Sequence, residues 1–337
     1  MSKKNEIINV ENLYISYLDK KKDRIDILKD INFSLNEGEA LGILGESGSG
    51  KTILAKVLMN IIPHPLKITQ GSININKLGN ILKKNDELLQ SIRGKQISMI
   101  PSNPHEYLNP LENIETQIMN VILAHKKDIS KKECYEKAIK ILNEVQIPDP
   151  KKRMYAYPNE LSGGMAQRVT IAMSLINEPQ LIIADNPTFG LDVTTQIEIM
   201  NLLKNLLSKR GSCLIMNSTS APLLIHYCDI IAVLYHGIIL EYTDIYSFKK
   251  NPNHPYSSLL LASETLNFVD KDLPIKSDKD LKKEQKKHII KGCLFQNVCK
   301  LADKSCFIYS PKLVKISNTH FVRCKYYYKN KSNIINF

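Results

Sequence analysis

A glycine-rich run at residues 45–52 has the residue types and spacing of a phosphate-binding loop. It reads Gly45-Glu46-Ser47-Gly48-Ser49-Gly50-Lys51-Thr52 and fits the pattern G-x-x-x-x-G-K-S/T at every fixed position. Glycines let backbone N–H groups close around phosphate, and the start of a following helix adds a favourable dipole. We expect Lys51 to reach the β- and γ-phosphates of a nucleotide and the Thr52 hydroxyl to hold Mg²⁺. A glycine-rich turn that binds nothing is the weaker alternative, because the run lies between a predicted strand and a predicted helix.

Four of the seven cysteines lie in the last 45 residues, where together they could bind a metal centre. Their spacing is Cys293-x5-Cys299-x6-Cys306-x17-Cys324. Four thiolates can hold a tetrahedral zinc ion or an iron–sulfur cluster, and the spacing alone does not distinguish the two. The gaps are longer than those of zinc ribbons, and unligated thiols are a third alternative. The remaining cysteines are scattered, and we expect them to be small apolar core residues: Cys134, Cys213 and Cys228.

The segments that must position these residues alternate between strand and helix patterns. Residues 7–18 and 25–35 alternate apolar and polar side chains, which predicts two antiparallel strands. Short apolar runs predict buried strands at residues 40–44, 181–184, 212–216 and 230–235. Helices are predicted at about residues 51–61 and from Ser130, where Glu133 completes a capping box. This alternation predicts an α/β fold with a mainly parallel sheet.

Charge and hydropathy restrict the class of protein. Hydrophobic residues make up 43% of the 337, which is enough for a buried core. The formal net charge is +12, and residues 270–337 alone hold 16 Lys/Arg against 6 Asp/Glu. Residues 262–292 are polar and lysine-rich, which predicts a solvated arm that could contact an anionic membrane surface or ease the charge of the four thiolates. No apolar run could span a bilayer and no secretory leader pattern is present, so we expect a cytosolic chain.

A second motif resembles the signature of the ABC ATPases. It reads Leu161-Ser162-Gly163-Gly164-Met165-Ala166-Gln167-Arg168, and it precedes a run that resembles a Walker B strand, Leu181–Asp185. Residues 157–160 ahead of the signature and Leu191-Asp192 after it also match that family. Further matches are Leu108-Asn109-Pro110, the run Asn251-Pro252-Asn253-His254-Pro255-Tyr256 and the cysteine-bearing tail. With these, the chain resembles the ATP-binding subunits of oligopeptide/dipeptide (peptide/nickel) importers.

The resemblance implies a division of the chain into two parts. Residues 1–250 would form an ABC-type P-loop nucleotide-binding domain with a RecA-like core, an antiparallel β subdomain and an α-helical subdomain at about 103–175. Residues 251–337 would form a C-terminal extension with a four-cysteine metal motif, which in some family members carries a 4Fe-4S iron–sulfur cluster. It also implies head-to-tail pairing with a second ATPase subunit, so that each nucleotide lies between one subunit's phosphate loop and the other's signature.

Further site residues follow from the resemblance. Tyr17 stands where the family places an aromatic ring against adenine, although a strand tyrosine packed on its own sheet is an alternative. Asp185 would hold Mg²⁺ together with Thr52. The signature side of the nucleotide would be contacted by Ser162, Gly163, Gly164 and Gln167, with Asp192 nearby. His254 and Tyr256 belong to a family marker, and we expect them only to hold a turn.

At three positions this sequence departs from the family pattern for ATP hydrolysis. After Asp185 the family has a glutamate that polarises the attacking water, and here the residue is Asn186. The family glutamine that reaches the metal and the water is replaced by Ser102, and the switch histidine aligns with Thr219. An amide cannot accept the proton of water, and loss of a positioned base typically costs about 10²–10⁴ in rate. We therefore expect a site that binds Mg-ATP and scarcely hydrolyses it.

The predicted function is that of an ATP-binding subunit of a peptide importer, peripheral on the cytoplasmic face of the membrane. Its partners would be a second, different ATPase subunit, two transmembrane permeases and an extracytoplasmic peptide-binding protein. Residues 103–125 would form the groove for a permease helix, and no nucleic-acid-binding fold is recognisable. Two alternatives are a self-sufficient hydrolytic ATPase with another base, and a regulatory subunit that senses redox state or nucleotide. The transported substrate is not predicted.

Overall fold

The computed structural model describes residues 5–18, 23–264 and 292–327. Most of the lysine-rich arm predicted at residues 262–292 lies outside these ranges. Within the described residues, no helix has the length and hydropathy of a membrane span.

Twelve strands occur in the described residues. In chain order they are β1 Glu6–Leu18, β2 Arg24–Asn36, β3 Ala40–Leu44, β4 Lys67–Ile75, β5 Gly79–Asn80, β6 Ile97–Ile100, β7 Leu181–Asp185, β8 Cys213–Ser218, β9 Ile230–Tyr235, β10 Ile238–Asp244, β11 Val314–Lys315 and β12 Phe321–Val322. The predicted strands at 40–44 and 230–235 are confirmed, and those at 181–184 and 212–216 are confirmed with ends shifted by one or two residues.

Eleven α-helices occur in the same described ranges. They are α1 Lys51–Leu58, α2 Asp86–Ile92, α3 Pro104–Tyr107, α4 Ile114–Leu123, α5 Lys131–Glu144, α6 Pro150–Arg153, α7 Gly163–Leu175, α8 Val193–Arg210, α9 Ala221–Tyr227, α10 Ile245–Lys250 and α11 Pro255–Glu264. Ser130 caps α5 as predicted, since its side chain accepts the Glu133 N–H. Helix α1 ends three residues before the predicted boundary, and Asn60, two residues after its end, has a left-handed φ of 52° that a helix cannot continue through.

Two sheets form the framework. The first has the order β2-β1-β4-β5 and is antiparallel, which confirms the pairing predicted for the first two strands. The second has the order β11-β12-β10-β9-β3-β8-β7-β6. Its pairings from β9 to β6 are parallel, and those of β9 with β10, β10 with β12 and β11 with β12 are antiparallel. The mainly parallel α/β sheet is thus joined to a separate antiparallel sheet.

Alternate residues of the central strands enter two different hydrophobic cores. On β7, Leu181 and Ile183 pack into the core that contains the antiparallel sheet and α1. Ile182 and Ala184 pack into the core that contains α5, α7 and α8. A strand covered on both faces is apolar at every position, and this explains why these segments are continuous apolar runs in the sequence.

Candidate functional site

Four loops meet at one edge of the central sheet. The phosphate loop follows β3, and Ser102, Asn186 and Thr219 lie one or two residues after the ends of β6, β7 and β8. The parallel register pairs Leu44 with Ser218, Asp185 with Asn217 and Ile100 with Ala184, so these four strands end at nearly the same level. In parallel α/β sheets, ligands bind at this carboxyl edge.

The phosphate loop depends on glycine at two positions for different reasons. Gly50, which precedes α1, has a φ of 107°, a conformation that side-chain-bearing residues rarely adopt. At Gly45, a Cβ would lie 2.3 Å from the backbone oxygen of Leu234, so any larger residue would displace the loop. The two glycines therefore allow the loop to lie close to the sheet and to lead into α1 at this edge.

Lys51 is held inside the loop. Its Nζ donates to the backbone oxygens of Gly45, at 2.7 Å, and Glu46, at 2.8 Å, and the residue is 8% exposed. Burial lowers the pKa of Lys51, while the negative charges of Asp185 and Glu46 act in the opposite direction. Among the residues that the structure describes, no carboxylate contacts Lys51 Nζ, and such a cation is well suited to the charge of a phosphate.

Two oxygen ligands converge beside Lys51. Thr52 Oγ1 lies 3.3 Å from Asp185 Oδ1. The carboxylate is fixed from the other side by Asn217, whose Nδ2 donates to Asp185 Oδ1 at 2.9 Å and to the Lys51 backbone oxygen at 2.8 Å. Sequence analysis missed Asn217, because a fully buried asparagine inside an apolar strand run carries no motif. The pair of hydroxyl and carboxylate is a ligand set that suits Mg²⁺.

Asn186, Ser102 and Thr219 lie at this edge of the sheet. Asn186 is half-buried and has a left-handed φ of 51°, and its N–H donates to the Asn217 backbone oxygen at 3.1 Å. Ser102 is half-buried and Thr219 is exposed. These three residues offer one amide and two hydroxyls, and their correspondence to the hydrolytic residues of the family stays a prediction.

The signature residues begin helix α7. Ser162 caps α7 and accepts the Met165 N–H. A Cβ at Gly163 would meet only Leu191 Cδ2, at 3.5 Å, whereas one at Gly164 would lie 2.9 Å from Thr195 Cγ2. The N–H groups at the start of a helix favour an anion, and the absence of a side chain at Gly163 and Gly164 would let a phosphate approach them closely.

The other predicted site residues lie in three separate places. Gln167 is buried, and its Nε2 donates to the Pro101 backbone oxygen at 3.3 Å, directly before Ser102. Asp192 caps α8, and the hydrogen bonds it accepts from Thr195 lower its pKa. Tyr17 is half-buried on β1 opposite Ile25, and its contact with adenine stays a prediction.

All four tail cysteines line one apolar cavity of about 290 Å³. The Cys293 N–H donates to the Cys306 backbone oxygen at 2.8 Å, which closes the cysteine segment on itself. Burial raises the pKa of Cys293 and raises that of Cys324 to about 11. Among the described residues, no three His, Cys, Asp or Glu side chains come together as ligands of a single metal ion. The cysteines thus surround a space, but do not converge on one point.

The tail is anchored to the central sheet. Strand β12 pairs with β10, and beside this pairing Glu241 is fully buried and accepts the N–H groups of Asn253 and His254. His320 Nε2 lies 2.6 Å from Glu241 Oε1. Arg323 donates to the Ile239 backbone oxygen at 3.0 Å. The cysteine cavity is therefore tied to the domain that carries the phosphate loop.

Two family profiles match this chain. The profile of the ABC transporter family matches residues 28–189, and that of the oligopeptide/dipeptide transporter C-terminal region matches residues 240–306. The oligopeptide transport ATP-binding protein OppD of Haemophilus influenzae is 37% identical over 325 residues, which cover 95% of this chain and 97% of the relative. The chain belongs to the oligopeptide/dipeptide branch of the ABC transporter family.

Further relatives and solved structures are similar over large parts of the chain. OppD of Escherichia coli is 37% identical, and the match covers 89% of this chain and 87% of that relative. OppD of Bacillus subtilis is 34% identical, and the match covers 96% of this chain and 89% of that relative. The ATP-binding cassette MJ0796, solved as a dimer in a post-hydrolysis state with ADP and Pi, superposes with a TM-score of 0.63 at 27% identity over 71% of this chain and 99% of that one. The fold is thus that of an ABC ATPase.

Proposed function

We propose that this chain is the ATP-binding subunit of an ABC importer of oligopeptides or dipeptides, and that its own nucleotide site binds Mg-ATP without appreciable hydrolysis. The observation that supports this most is that the retained binding residues and the three altered residues lie at the same edge of the sheet. Lys51, Thr52 and Asp185 are present and close together, while Asn186, Ser102 and Thr219 follow the neighbouring strands.

Binding would use the retained groups. The loop N–H groups and Lys51 would bind the β- and γ-phosphates, and Tyr17 would lie against the adenine. Thr52 Oγ1 and the Asp185 carboxylate would hold Mg²⁺, which when bound neutralises phosphate charge. Asn217 fixes the orientation of that carboxylate from the buried side.

Hydrolysis at this chain's own nucleotide site would be very slow, because no residue there would act as a general base. The Asn186 amide cannot accept a proton from water. The lack of a positioned base at this residue alone would lower the rate of hydrolysis by about 10²–10⁴. A serine at 102 is too short to reach a water beside the metal, and Thr219 offers no imidazole to the γ-phosphate. A self-sufficient ATPase would need another base, and the contacts described at this edge supply none.

The signature points to an asymmetric pair. Ser162, Gly163 and Gly164 at the start of α7 would complete the nucleotide site of a second, different ATPase subunit that carries its own catalytic glutamate. Gln167 and Asp192 support this surface from within the chain. A pair of two copies of this chain would have no base at either site, so we expect a heterodimer.

The remaining partners would be those of an importer. Tyr107 and Leu111 are 58% and 85% exposed in the segment 103–125, where a helix of a permease would bind. Two permeases and an extracytoplasmic peptide-binding protein would complete the assembly on the cytoplasmic face of the membrane, and nucleic acid would have no part in it. We propose domain limits of 1–250 and 251–337, with the helical subdomain at about 103–175.

For the tail, we propose a 4Fe-4S cluster bound by Cys293, Cys299, Cys306 and Cys324. The observation that supports this proposal is that all four thiols line one apolar cavity of about 290 Å³. The cluster would supply either a structural crosslink or a redox-sensitive centre. Unligated thiols are the alternative.

Cys293→Ser is expected to remove the cluster. Chain purified without oxygen should contain about four irons and the broad visible absorption of an iron–sulfur cluster, which bleaches on reduction. The variant should lose most of both. Cys213→Ser is the matched control, since Cys213 is buried on β8, where its Sγ contacts the Asn36 backbone oxygen. A wild-type chain without iron, or equal iron in the two variants, would contradict the cluster.

The isolated chain tests the proposed function itself. Mg-ATP should bind at equilibrium, and Lys51→Ala should weaken its affinity about 100-fold because a charge-assisted contact to phosphate is lost. Lys56→Ala, a lysine on the same helix, should bind like the wild type. Steady-state hydrolysis should stay at background at every protein concentration. Hydrolysis that rises steeply with concentration would show a competent homodimer, and absent binding would refute the nucleotide site.

A further inference from the structure

Tyr256 connects the phosphate loop with the cysteine-bearing tail. The residue is 1% exposed, and its hydroxyl oxygen accepts a hydrogen bond from the Glu46 N–H at 3.3 Å, across 210 residues of sequence. Burial raises the pKa of Tyr256, so the phenol stays neutral. Glu46 is the second residue of the phosphate loop. A side chain that the sequence predicted only to hold a turn is thus hydrogen-bonded to the phosphate loop.

The bond to Tyr256 acts on the same peptide segment as Lys51. The Glu46 N–H donates to Tyr256, and the Glu46 carbonyl oxygen accepts from Lys51 Nζ at 2.8 Å. Glu46 is therefore held on both of its backbone polar groups. A shift of Tyr256 would move an acceptor that determines where the ammonium group of Lys51 lies.

Tyr256 is itself held firmly by its own turn. Its N–H donates to His254 Nδ1 at 3.1 Å, and the His254 N–H donates to the buried Glu241 at 2.9 Å. Burial lowers the pKa of His254 to about 4, so the ring is neutral and its Nδ1 remains an acceptor near neutral pH. The turn therefore fixes where the phenol points.

The ring of Tyr256 packs against the cysteine segment. Its centroid lies 4.5 Å from that of Tyr235 and 5.5 Å from that of Phe295, which is 2% exposed. Phe295 follows Cys293 by two residues and lines the same cavity as the four cysteines. A displacement of the cysteine segment would also displace Tyr256 through the contact between the rings, because a close-packed core has little empty space to absorb the movement.

We propose that Tyr256 is a positioning residue of the nucleotide site, through which the cysteine-bearing tail holds the phosphate loop in its binding conformation. The proposal rests on the nucleotide binding proposed above. It assigns a role to the tail that does not require the cysteines to carry any particular metal, since the contacts run through Phe295, Tyr256 and Glu46.

Tyr256→Phe in the full chain tests the proposal, because it removes one hydroxyl and keeps the ring. The affinity for Mg-ATP should fall about 3- to 10-fold, as expected for one lost hydrogen bond. The Glu46 amide hydrogen should exchange faster with solvent in the nucleotide-free protein, while the midpoint of thermal unfolding changes little. Phe295→Leu should also speed that exchange, because the ring support is reduced while the hydroxyl is kept.

Tyr327→Phe is the matched control. Its hydroxyl lies 3.4 Å from the Asn253 backbone oxygen in the same part of the fold and should affect neither quantity. Unchanged affinity and unchanged exchange of the Glu46 amide in Tyr256→Phe would overturn the proposal, provided the wild type binds Mg-ATP. If the wild type does not bind, the proposed function fails, and the exchange of the Glu46 amide still decides whether Tyr256 holds the loop.

Discussion

Gly163→Asp in this chain is expected to reduce ATP hydrolysis by the assembled transporter about 100-fold or more, a loss of the size that follows removal of one preorganised donor to a developing anion. The substitution places a negative charge at the first residue of α7, where the N–H groups would face the γ-phosphate held by the partner subunit. A Cβ at this position meets only Leu191 Cδ2, at 3.5 Å, so the fold should tolerate the change. Mg-ATP binding at the chain's own phosphate loop should not change.

Gly163→Ala separates charge from shape. It adds the same Cβ without the carboxylate, and we expect a much smaller loss of hydrolysis. The two variants should be compared in the complete complex, with equal subunit content checked beforehand. Full hydrolysis with Gly163→Asp would mean that this signature does not contact the partner's nucleotide.

Much of the nucleotide site could be predicted because its determinants are local. The phosphate loop needs only a strand, a glycine-rich turn and a helix, and all three are adjacent between Ala40 and Leu58. The resemblance to the family, not the strand pattern, assigned Ser102, Asn186 and Thr219 to this site, and the structure places all three just after parallel strands that end at one edge. The contributions of these residues to hydrolysis stay predictions.

The contacts that support the site could not be predicted. Asn217 lies in a run of apolar residues, and no pattern distinguishes an asparagine that bonds a carboxylate from one that disturbs a strand. Strands β11 and β12 have two residues each, too few for a periodic signal. The bond of Tyr256 to Glu46 spans 210 residues, and local patterns carry no information about such a pair.

We propose that one subunit of the pair binds nucleotide and that the other hydrolyses it. In this arrangement the site of this chain would remain loaded and keep the two subunits together, while each turnover occurs at the site that its signature completes. Two matching positions would therefore contribute differently to hydrolysis. The glutamate of the partner subunit would be needed for it, and Asn186 of this chain would not.

The most direct test is ATP hydrolysis by the assembled transporter after that glutamate is changed to glutamine in the partner subunit only. Nucleotide binding by the variant complex should be measured alongside, so that loss of chemistry is separated from loss of binding. We expect hydrolysis to fall by about 10²–10⁴, because no positioned base remains at either site. Substantial remaining hydrolysis would contradict the account, since a residue of this chain other than Asn186, Ser102 or Thr219 would then have to activate water.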